Sequence, residues 1–448
     1  MQKNILENKR YHNIILIAVV AIGFFARLYQ FGVIPMGINQ DEAMAAVDSL
    51  ALTMHGTDRY GMWLPVHFTA WGFGQMSVLM SYLMIPFIRI MGLTIISTRL
   101  PMLIVSLLGM YVMYKFVKDI YGKTPALITL FILAINPWHI MQSRWALDCN
   151  MFPHFMLFSI YFLYKGLKKD IFLYISMVLF AITLYAYGLA IYSVPIFLMA
   201  VFIYLLRKKQ ISLKKALICG VIFLTFAWPI LLMLMINFFE WRTIEAPFFT
   251  IPFFEHSIRS NDLVFFADYF GPQLIHHTLA LHRAITLGDG LLWNSINNFG
   301  PMYLFSILFL PLGIVFISLF SKYEESEKSI GNILIIFWLL ISVFVGLSVS
   351  VNVNRINIIF YPLIIANALG ICLLIKLFAN KIVIAGTLLI YLISFIYFSN
   401  AYFNITSENL RQIFLLWIWR KHCCSRARRC GDNIYNHSNF AWIHFKAS

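Results

Sequence analysis

Long apolar segments separated by short polar connections run through most of this chain. Nine of them are candidates to cross a bilayer as helices, at 14–31, 100–114, 125–138, 151–164, 216–236, 301–320, 330–350, 356–375 and 382–400. Residues 171–206 contain no Asp, Glu, Lys or Arg. A helix of that length is too long for one crossing, because each residue adds about 1.5 Å. This stretch predicts two helices that turn near Gly188.

The lysines fall on alternate connections between these segments. They cluster at Lys115/Lys118/Lys123, Lys165/Lys168/Lys169, Lys208/Lys209/Lys214/Lys215, Lys322/Lys328 and Lys376/Lys381. The connections 32–77, 139–150, 237–300 and 351–355 contain no Lys. Because positive loops stay on the cytoplasmic side, the lysine-free loops are predicted to face outward, with the N-terminus inside and the C-terminus outside.

Residues 78–95 are apolar but are interrupted by Pro86 and Arg89. A full crossing here would place Lys115 to Lys123 outside, against the charge rule. We therefore expect this segment to lie along the outer leaflet or dip into it. The pattern predicts an all-α polytopic protein of the plasma membrane with about eleven transmembrane helices, within a range of about 11 to 13.

Composition agrees with a membrane protein, since 61% of the 448 residues are hydrophobic, 12% are charged and the mean hydropathy is +0.79. The net charge of +15 does not indicate a nucleic-acid partner, because Lys and Arg form short clusters rather than one basic face. The six cysteines show no metal or disulfide spacing.

The most informative polar stretch is Gly37-Ile38-Asn39-Gln40-Asp41-Glu42-Ala43, just past the first apolar segment. Carboxylates at a membrane boundary are costly unless they do chemistry, bind a cation or reach water. Asp41 and Glu42 lie close to the membrane face, where a lipid-linked substrate would present its head group. The other acids of the large loops 32–77 and 237–300 are expected mostly on a solvated surface.

Three arginines lie where outward helix ends are predicted, namely Arg99, Arg144 and Arg355. The planar guanidinium suits a phosphodiester or diphosphate, because it donates two parallel hydrogen bonds and keeps its charge. The alternative for each is a structural arginine that snorkels or pairs with an acid such as Asp148.

A series of short motifs carries a family resemblance. In chain order they are Asp41-Glu42, Leu64-Pro65-Val66-His67-Phe68 with Trp71-Gly72, Tyr82 with Ile85-Pro86-Phe87, Arg99-Leu100-Pro101, Asn136-Pro137-Trp138-His139, Ser143-Arg144-Trp145, and Asp289-Gly290 with Trp293-Asn294. Their order resembles the bacterial dolichyl-phosphate-mannose-protein mannosyltransferase-like glycosyltransferases. These belong to the C-type glycosyltransferase superfamily, with the protein O-mannosyltransferases and the aminoarabinose transferase of lipid A. The resemblance covers roughly residues 10–400 and is strongest before 165.

The resemblance implies transfer of a sugar from a polyprenyl-phosphate donor to a hydroxyl of a protein, lipid or cell-wall glycan, on the outer face of the membrane. Asp41 would act as the general base, and Glu42 could orient Asp41, hold an acceptor hydroxyl or ligate a divalent cation. A single displacement would invert the anomeric centre. The candidate catalytic residues are Asp41 and Glu42, and the candidate substrate-binding residues are Arg355, Arg144, Arg99, Asp148, His67, Trp71 and Asp289. No metal ligands are assigned, although a divalent cation is possible.

Two other function classes stay open. A flippase or transporter of a lipid-linked saccharide would also use outward carboxylates and arginines, although the charged residues avoid the span centres where transport sites usually lie. A polysaccharide polymerase or ligase would use diphosphate-linked donors.

The chain divides into a transmembrane glycosyltransferase domain at 1–400 and an outer tail at 401–448. The segment 417–430 is basic and holds half of the cysteines. Two interpretations stay open for it, a shifted reading frame with a disordered end, and a basic tail that binds anionic lipid.

Overall fold

The fold is a bundle of helices with two small hairpins. The computed structural model describes residues 9–70, 74–254, 270–296, 299–323, 327–378 and 381–405. Within them the helices are α1 (Lys9–Leu28), α2 (Gln40–His55), α3 (Leu79–Met91), α4 (Ile95–Tyr121), α5 (Lys123–Ile135), α6 (Pro137–Gln142), α7 (Asp148–Gly166), α8 (Asp170–Thr183), α9 (Ala190–Arg207), α10 (Leu213–Phe238), α11 (Phe270–Thr286), α12 (Leu310–Tyr323), α13 (Glu327–Ser348), α14 (Val353–Ile356), α15 (Phe360–Phe378) and α16 (Lys381–Asn400). The antiparallel hairpins are β1 (Phe68–Ala70) with β2 (Gly74–Met76), and β3 (Ile244–Ala246) with β4 (Phe249–Ile251).

The predicted class, an all-α polytopic membrane protein, is confirmed. Seven helices of the described ranges are long and apolar enough to cross a bilayer, and the count of about eleven spans stays a prediction. The predicted helix pair in 171–206 is confirmed as α8 and α9, with the turn at 184–189.

Helix α3 is not among the seven helices that are long and apolar enough to cross a bilayer. Its 13 residues extend about 20 Å, well short of a hydrocarbon core of about 30 Å. It ends at Gly92, whose φ of 73° is in the left-handed region that glycine adopts without strain. The chain then reverses into α4, whose N-cap is Thr94.

Helix ends sort onto two faces of the bundle. The face at the ends of α4, α7 and α9, which carries Lys165 and Lys215, is called the lysine face. There Lys165 pairs with Asp119 at 3.1 Å and Lys215 with Asp170 at 2.8 Å. The opposite face, which carries α2, α3, α6, α11, α14 and both hairpins, is called the loop face. The carboxylates and arginines singled out from the sequence lie at the loop face.

Close packing of small residues joins α12 to α15. A Cβ at Gly313 would overlap the backbone of Ala366, and one at Gly370 would overlap the carbonyl of Phe309. Such contacts let helix backbones approach directly, as is typical of helix packing in membranes. Glycine at these two positions therefore allows the direct contact between α12 and α15.

The lysine distribution predicts which face is accessible from outside the cell. With Cys423, Cys424 and Cys430 changed to Ser, Tyr60→Cys on the loop face should react with an impermeant thiol reagent on intact cells. Lys208→Cys on the lysine face should react only after permeabilisation. Both positions are exposed, and Cys149, Cys219 and Cys372 are buried. Labelling of Lys208→Cys on intact cells would show that the lysine face is outside and that the predicted orientation is wrong.

Candidate functional site

Helix α2 presents the Asp41-Glu42 pair, and its first turn fixes the two carboxylates differently. The Asn39 side chain accepts a hydrogen bond from the Asp41 amide at 2.9 Å, and Glu42 Oε2 accepts one from the Asn39 amide at 3.2 Å. This is a capping box. Glu42 is fully buried and Asp41 is half-buried, so only Asp41 remains partly accessible.

Glu42 forms a bidentate ion pair with Arg99 of α4. Arg99 Nε lies 2.7 Å from Oε1 and Nη2 lies 2.9 Å from Oε2, with both side chains fully buried. Oε1 also accepts a hydrogen bond from the Ala146 amide at 3.0 Å. The remaining Arg99 donors bind the carbonyls of Pro35 and Gly37 at 2.8 and 2.7 Å. The pair therefore ties together three segments of the loop face.

Arg144 is occupied in a similar way. It is fully buried, and its guanidinium donates to backbone carbonyls at and just beyond the end of α1, among them Arg27 at 2.9 Å, Tyr29 at 2.7 Å and Ile34 at 2.7 Å. Helix C-termini carry unsatisfied carbonyls and partial negative charge. Arg144 thus caps α1 in this structure.

The sequence interpretation missed Arg27. This fully buried arginine of α1 donates to the carbonyls of Leu133 and Ala134 at 3.0 and 2.9 Å, at the end of α5, and to His139 Nδ1 at 3.1 Å. His139 Nε2 lies 3.1 Å from the Tyr361 hydroxyl. An arginine inside an apolar run near its outer end was the available signal.

Asp148 lies at the first position of α7 and is half-buried. Its carboxylate accepts hydrogen bonds from the Cys149 amide at 2.7 Å and the Ser77 amide at 3.4 Å. Two residues earlier, the Ala146 amide binds Glu42. This bond brings Asp41 and Asp148 to the same part of the loop face.

Asp289 and Arg355 belong to a second part of the loop face, around α14. Asp289 Oδ2 accepts from the Val353 amide and from Asn294 Nδ2, both at 2.9 Å, which fixes the start of α14. Arg355 is partly exposed, and its Nη1 donates to the carbonyl and hydroxyl oxygens of Ser350.

Asn357 connects this part of the chain to α7. Its Nδ2 lies 3.3 Å from both the Cys149 carbonyl and Asn150 Oδ1. Because Arg355 precedes Asn357 by two residues and Asp148 precedes Cys149 by one, both lie near this junction. We call Asp41, Asp148, Asp289 and Arg355 the loop-face site.

Several buried polar atoms near this site have no hydrogen-bond partner within the described residues. They are Tyr192 Oη, Trp293 Nε1, Asn294 Oδ1 and Asn354 Oδ1. Asn294 contacts Asp289, Asn354 precedes Arg355, and Tyr192 lies within electrostatic reach of Arg355. A buried polar group without a hydrogen-bond partner costs about 1–3 kcal/mol, so each of these atoms calls for a partner such as water or a bound polar molecule.

His67 lies where the two large loops meet. It is buried, and its ring meets that of Phe254 edge-on with centroids 6.1 Å apart. Beside it the Val66 amide donates to the Thr250 carbonyl at 3.0 Å. This position indicates that His67 contributes to the junction of the loops. Trp71 lies outside the described residues.

Within the described ranges, no group of three or more His, Cys, Asp or Glu side chains is arranged to hold a metal ion. A divalent cation stays a prediction.

The expectation of a solvated surface is wrong for two loop acids. Asp48 is fully buried and pairs with Arg59 at 2.9 Å. Asp58 is 2% exposed, and its Oδ1 accepts hydrogen bonds from the amides of Tyr60 and Met62, both at 2.9 Å. Because both side chains are buried, these acids stabilise the loop through their contacts and do not lie on its solvated surface.

Burial gives Asp48 a pH dependence that can be measured. Burial raises the pKa of Asp48 from its ordinary 3.8 to about 7, against the opposing effect of Arg59. A carboxyl with a raised folded-state pKa favours folding fully below about pH 4, and this contribution is lost as the pH rises through about 7. The melting temperature should therefore fall between pH 5 and 8 by a few degrees more than in Asp48→Asn, as expected for a loss of about 2–3 kcal/mol. Asp170→Asn, at an exposed position, is the control, and equal slopes in wild type and Asp48→Asn would contradict the assignment.

Comparison with known proteins finds one family model and several solved structures. The family model described as dolichyl-phosphate-mannose-protein mannosyltransferase matches residues 75–233. No curated protein sequence matches the chain.

The solved structures share the fold at low sequence identity. ArnT from Cupriavidus metallidurans in the apo state is similar with a TM-score of 0.52 at 14% identity, over 81% of this chain and 60% of that one. The apo oligosaccharyltransferase of Archaeoglobus fulgidus gives 0.53 at 12%, over 90% and 56%. AglB from the same organism, in complex with an inhibitory peptide and a dolichol-phosphate, gives 0.51 at 13%, over 90% and 55%. This chain thus spans between 55% and 60% of the length of these three structures.

Proposed function

We propose that this chain is a C-type glycosyltransferase related to the protein mannosyltransferases, a placement that the family match over residues 75–233 and the shared fold support. From that premise we propose that it transfers a sugar from a polyprenyl-phosphate donor to a hydroxyl acceptor. The reaction takes place at the loop face, which the lysine pattern assigns to the outside. The observation that carries the proposal is the convergence of Asp41, Asp148 and Arg355 at one end of the bundle. A fold relative solved with a dolichol-phosphate supports a lipid-phosphate donor.

Asp41 is the proposed general base. The acceptor hydroxyl loses its proton to the Asp41 carboxylate while its oxygen attacks the anomeric carbon, and the bond to the lipid phosphate breaks. One displacement inverts the anomeric centre. The choice of Asp41 over Glu42 rests on burial, because Glu42 is enclosed by Arg99 and the Ala146 amide whereas Asp41 is half-buried.

Glu42 is then a positioning residue, which is one of the three roles open to it from the sequence. It closes the capping box of α2 and fixes the first turn, on which Asp41 lies. Asp148 is proposed to bind substrate hydroxyls next to Asp41, because its carboxylate is half-buried at the start of α7.

Arg355 is the proposed ligand of the leaving phosphate. It is partly exposed and lies near buried polar atoms that need partners, whereas Arg99 and Arg144 are fully buried and donate to Glu42 and to backbone carbonyls. We therefore assign Arg99 and Arg144 to holding the loops and Arg355 to stabilising the charge that develops on the phosphate.

Substitution of Arg355 tests the phosphate assignment. Arg355→Ala should weaken donor binding by about 10- to 100-fold, as expected for loss of a charged hydrogen bond. Arg355→Lys should weaken it less, because Lys keeps the charge but not the planar fork. Binding is measured by titration of a polyprenyl-phosphate sugar into purified protein, with Arg283→Ala, at an exposed arginine of α11, as the control. Wild-type affinity in both Arg355 variants would show that Arg355 is structural.

A donor assay separates the proposal from its alternatives. Purified protein in proteoliposomes is incubated with a labelled polyprenyl-phosphate sugar and candidate hydroxyl acceptors. Transfer of label to an acceptor supports the proposal. Movement of label across the bilayer without transfer would indicate a flippase, and activity restricted to diphosphate-linked donors would indicate a polymerase or ligase.

A further inference from the structure

Large aromatic side chains are exposed where α10 ends at the loop face. Phe238 is 80% exposed and Phe239 53%. The ring of Phe239 stacks on that of Trp241, with centroids 5.3 Å apart. Phe248, in the two-residue turn between β3 and β4, is 80% exposed. Several exposed aromatic side chains in one short segment are a candidate interaction surface.

The β3–β4 hairpin folds back along α10 instead of extending away from the bundle. The ring of Phe249 contacts that of Trp228 edge-on, with centroids 5.3 Å apart. Trp228 precedes the end of α10 by ten residues, which is about 15 Å along a helix. The 26 residues of α10 extend about 39 Å, which exceeds a hydrocarbon core of about 30 Å by about 9 Å. This excess is smaller than the distance of about 15 Å between Trp228 and the end of the helix. Trp228 and the Phe249 ring that contacts it therefore lie inside the boundary of the bilayer and the end of α10 lies at or beyond it, so the chain between Phe238 and Phe249 spans the boundary.

The same apolar surface continues down α10. Only 22% of the apolar window of this helix is buried within the protein, and Leu224 and Met235 are exposed along it. The polar residues of the segment, Glu240, Arg242 and Glu245, are exposed beside the aromatic rings. Aromatic rings next to polar groups at a helix end are the composition of the interfacial belt of membrane proteins.

We propose that residues 238–249 form an aromatic anchor whose rings rest in the lipid head-group layer on the loop face. The occupant of the patch is the bilayer itself, because the patch is continuous with the lipid-facing surface of α10 and lies at the level of the membrane boundary. This proposal depends on the membrane fold and is independent of the chemistry at the loop-face site.

The anchor is coupled to the loop that carries Asp41. The Val66 amide donates to the Thr250 carbonyl at 3.0 Å, and the Thr250 amide donates to the Leu64 carbonyl at 3.4 Å. Tyr82 of α3 donates to the Pro65 carbonyl at 3.1 Å. Contact with lipid thereby holds residues 64–66, in the same loop as α2, in place.

Quenching by labelled lipid tests the contact. A fluorescent non-canonical amino acid is placed at position 248 in full-length protein in nanodiscs whose lipids carry a nitroxide on the head group. Met235 on α10 is the lipid-facing reference and Tyr60 is the exposed loop reference. Quenching at 248 close to that at 235 supports the anchor. Quenching at 248 as low as that at 60 overturns the anchor. The aromatic rings would then contact water or another protein instead of lipid.

Hydrogen exchange tests the coupling. In nanodiscs, the Val66 amide of the double variant Phe238→Ser/Phe248→Ser should exchange its hydrogen about tenfold faster than in the wild type. Loss of the lipid contact should let the Val66–Thr250 hydrogen bond open more often. Tyr60→Ser, at an exposed aromatic outside the anchor, should leave the rate unchanged. An unchanged Val66 rate in the double variant would overturn the coupling.

Discussion

Asp41→Asn is expected to abolish sugar transfer while leaving donor binding and folding near those of the wild type. The amide keeps the shape of the carboxylate but cannot accept the acceptor's proton. Loss of a general base typically lowers the rate by about two to four orders of magnitude. The measurement is the single-turnover rate of label transfer with saturating donor, together with donor affinity and melting temperature for the same preparation.

The matched control is Asp170→Asn, an acid-to-amide change on the lysine face, which should leave the transfer rate unchanged. Retention of more than about a tenth of the wild-type rate in Asp41→Asn would remove Asp41 from the role of base. Asp148→Asn then becomes the next variant to measure, because Asp148 is the half-buried carboxylate that the Ala146–Glu42 hydrogen bond brings to the same part of the loop face as Asp41.

Separating Glu42 from Arg99 should destabilise the whole loop face. Glu42→Gln or Arg99→Met leaves the other partner with an uncompensated buried charge, which typically costs about 3–5 kcal/mol. For a chain of 448 residues the melting temperature should fall by about 3–5 °C. The double variant Glu42→Gln/Arg99→Met should recover part of this loss, because it leaves neither charge buried.

Thermal unfolding of the purified variants in nanodiscs provides the measurement. The exposed pair Lys215–Asp170 is the control, and Lys215→Met should leave the melting temperature close to that of the wild type because exposed ion pairs contribute little to stability. If Glu42→Gln abolished transfer at wild-type melting temperature, Glu42 would have to act on the substrate instead of positioning Asp41.

The helices could be predicted well from the sequence because burial in lipid imposes one rule on every span. Apolar runs of sufficient length become helices, and the uncharged stretch 171–206 had to be a pair because of its length. The short helix α3 could also be anticipated, since Pro86 and Arg89 lie in a run that the lysine pattern did not allow to cross. The charge and the length of a segment are properties of the local sequence, and folding does not change them.

The roles of the arginines could not be predicted because they depend on long-range contacts. Arg144 donates to Tyr29, 115 residues away, and no local pattern distinguishes it from Arg355. The difference between Asp41 and Glu42 did have a local signal. Asn39 followed three residues later by Glu42 is a helix-capping pattern, which indicates that Glu42 turns back toward the backbone.

The central claim, that Asp41, Asp148 and Arg355 form one donor site at the loop face, is tested most directly by a structure of the protein in nanodiscs with a polyprenyl-phosphate sugar bound. The account predicts the phosphate within hydrogen-bond distance of the Arg355 guanidinium and the anomeric carbon facing the Asp41 carboxylate. A phosphate bound at the lysine face, or at the loop face away from Arg355 and Asp41, would contradict it.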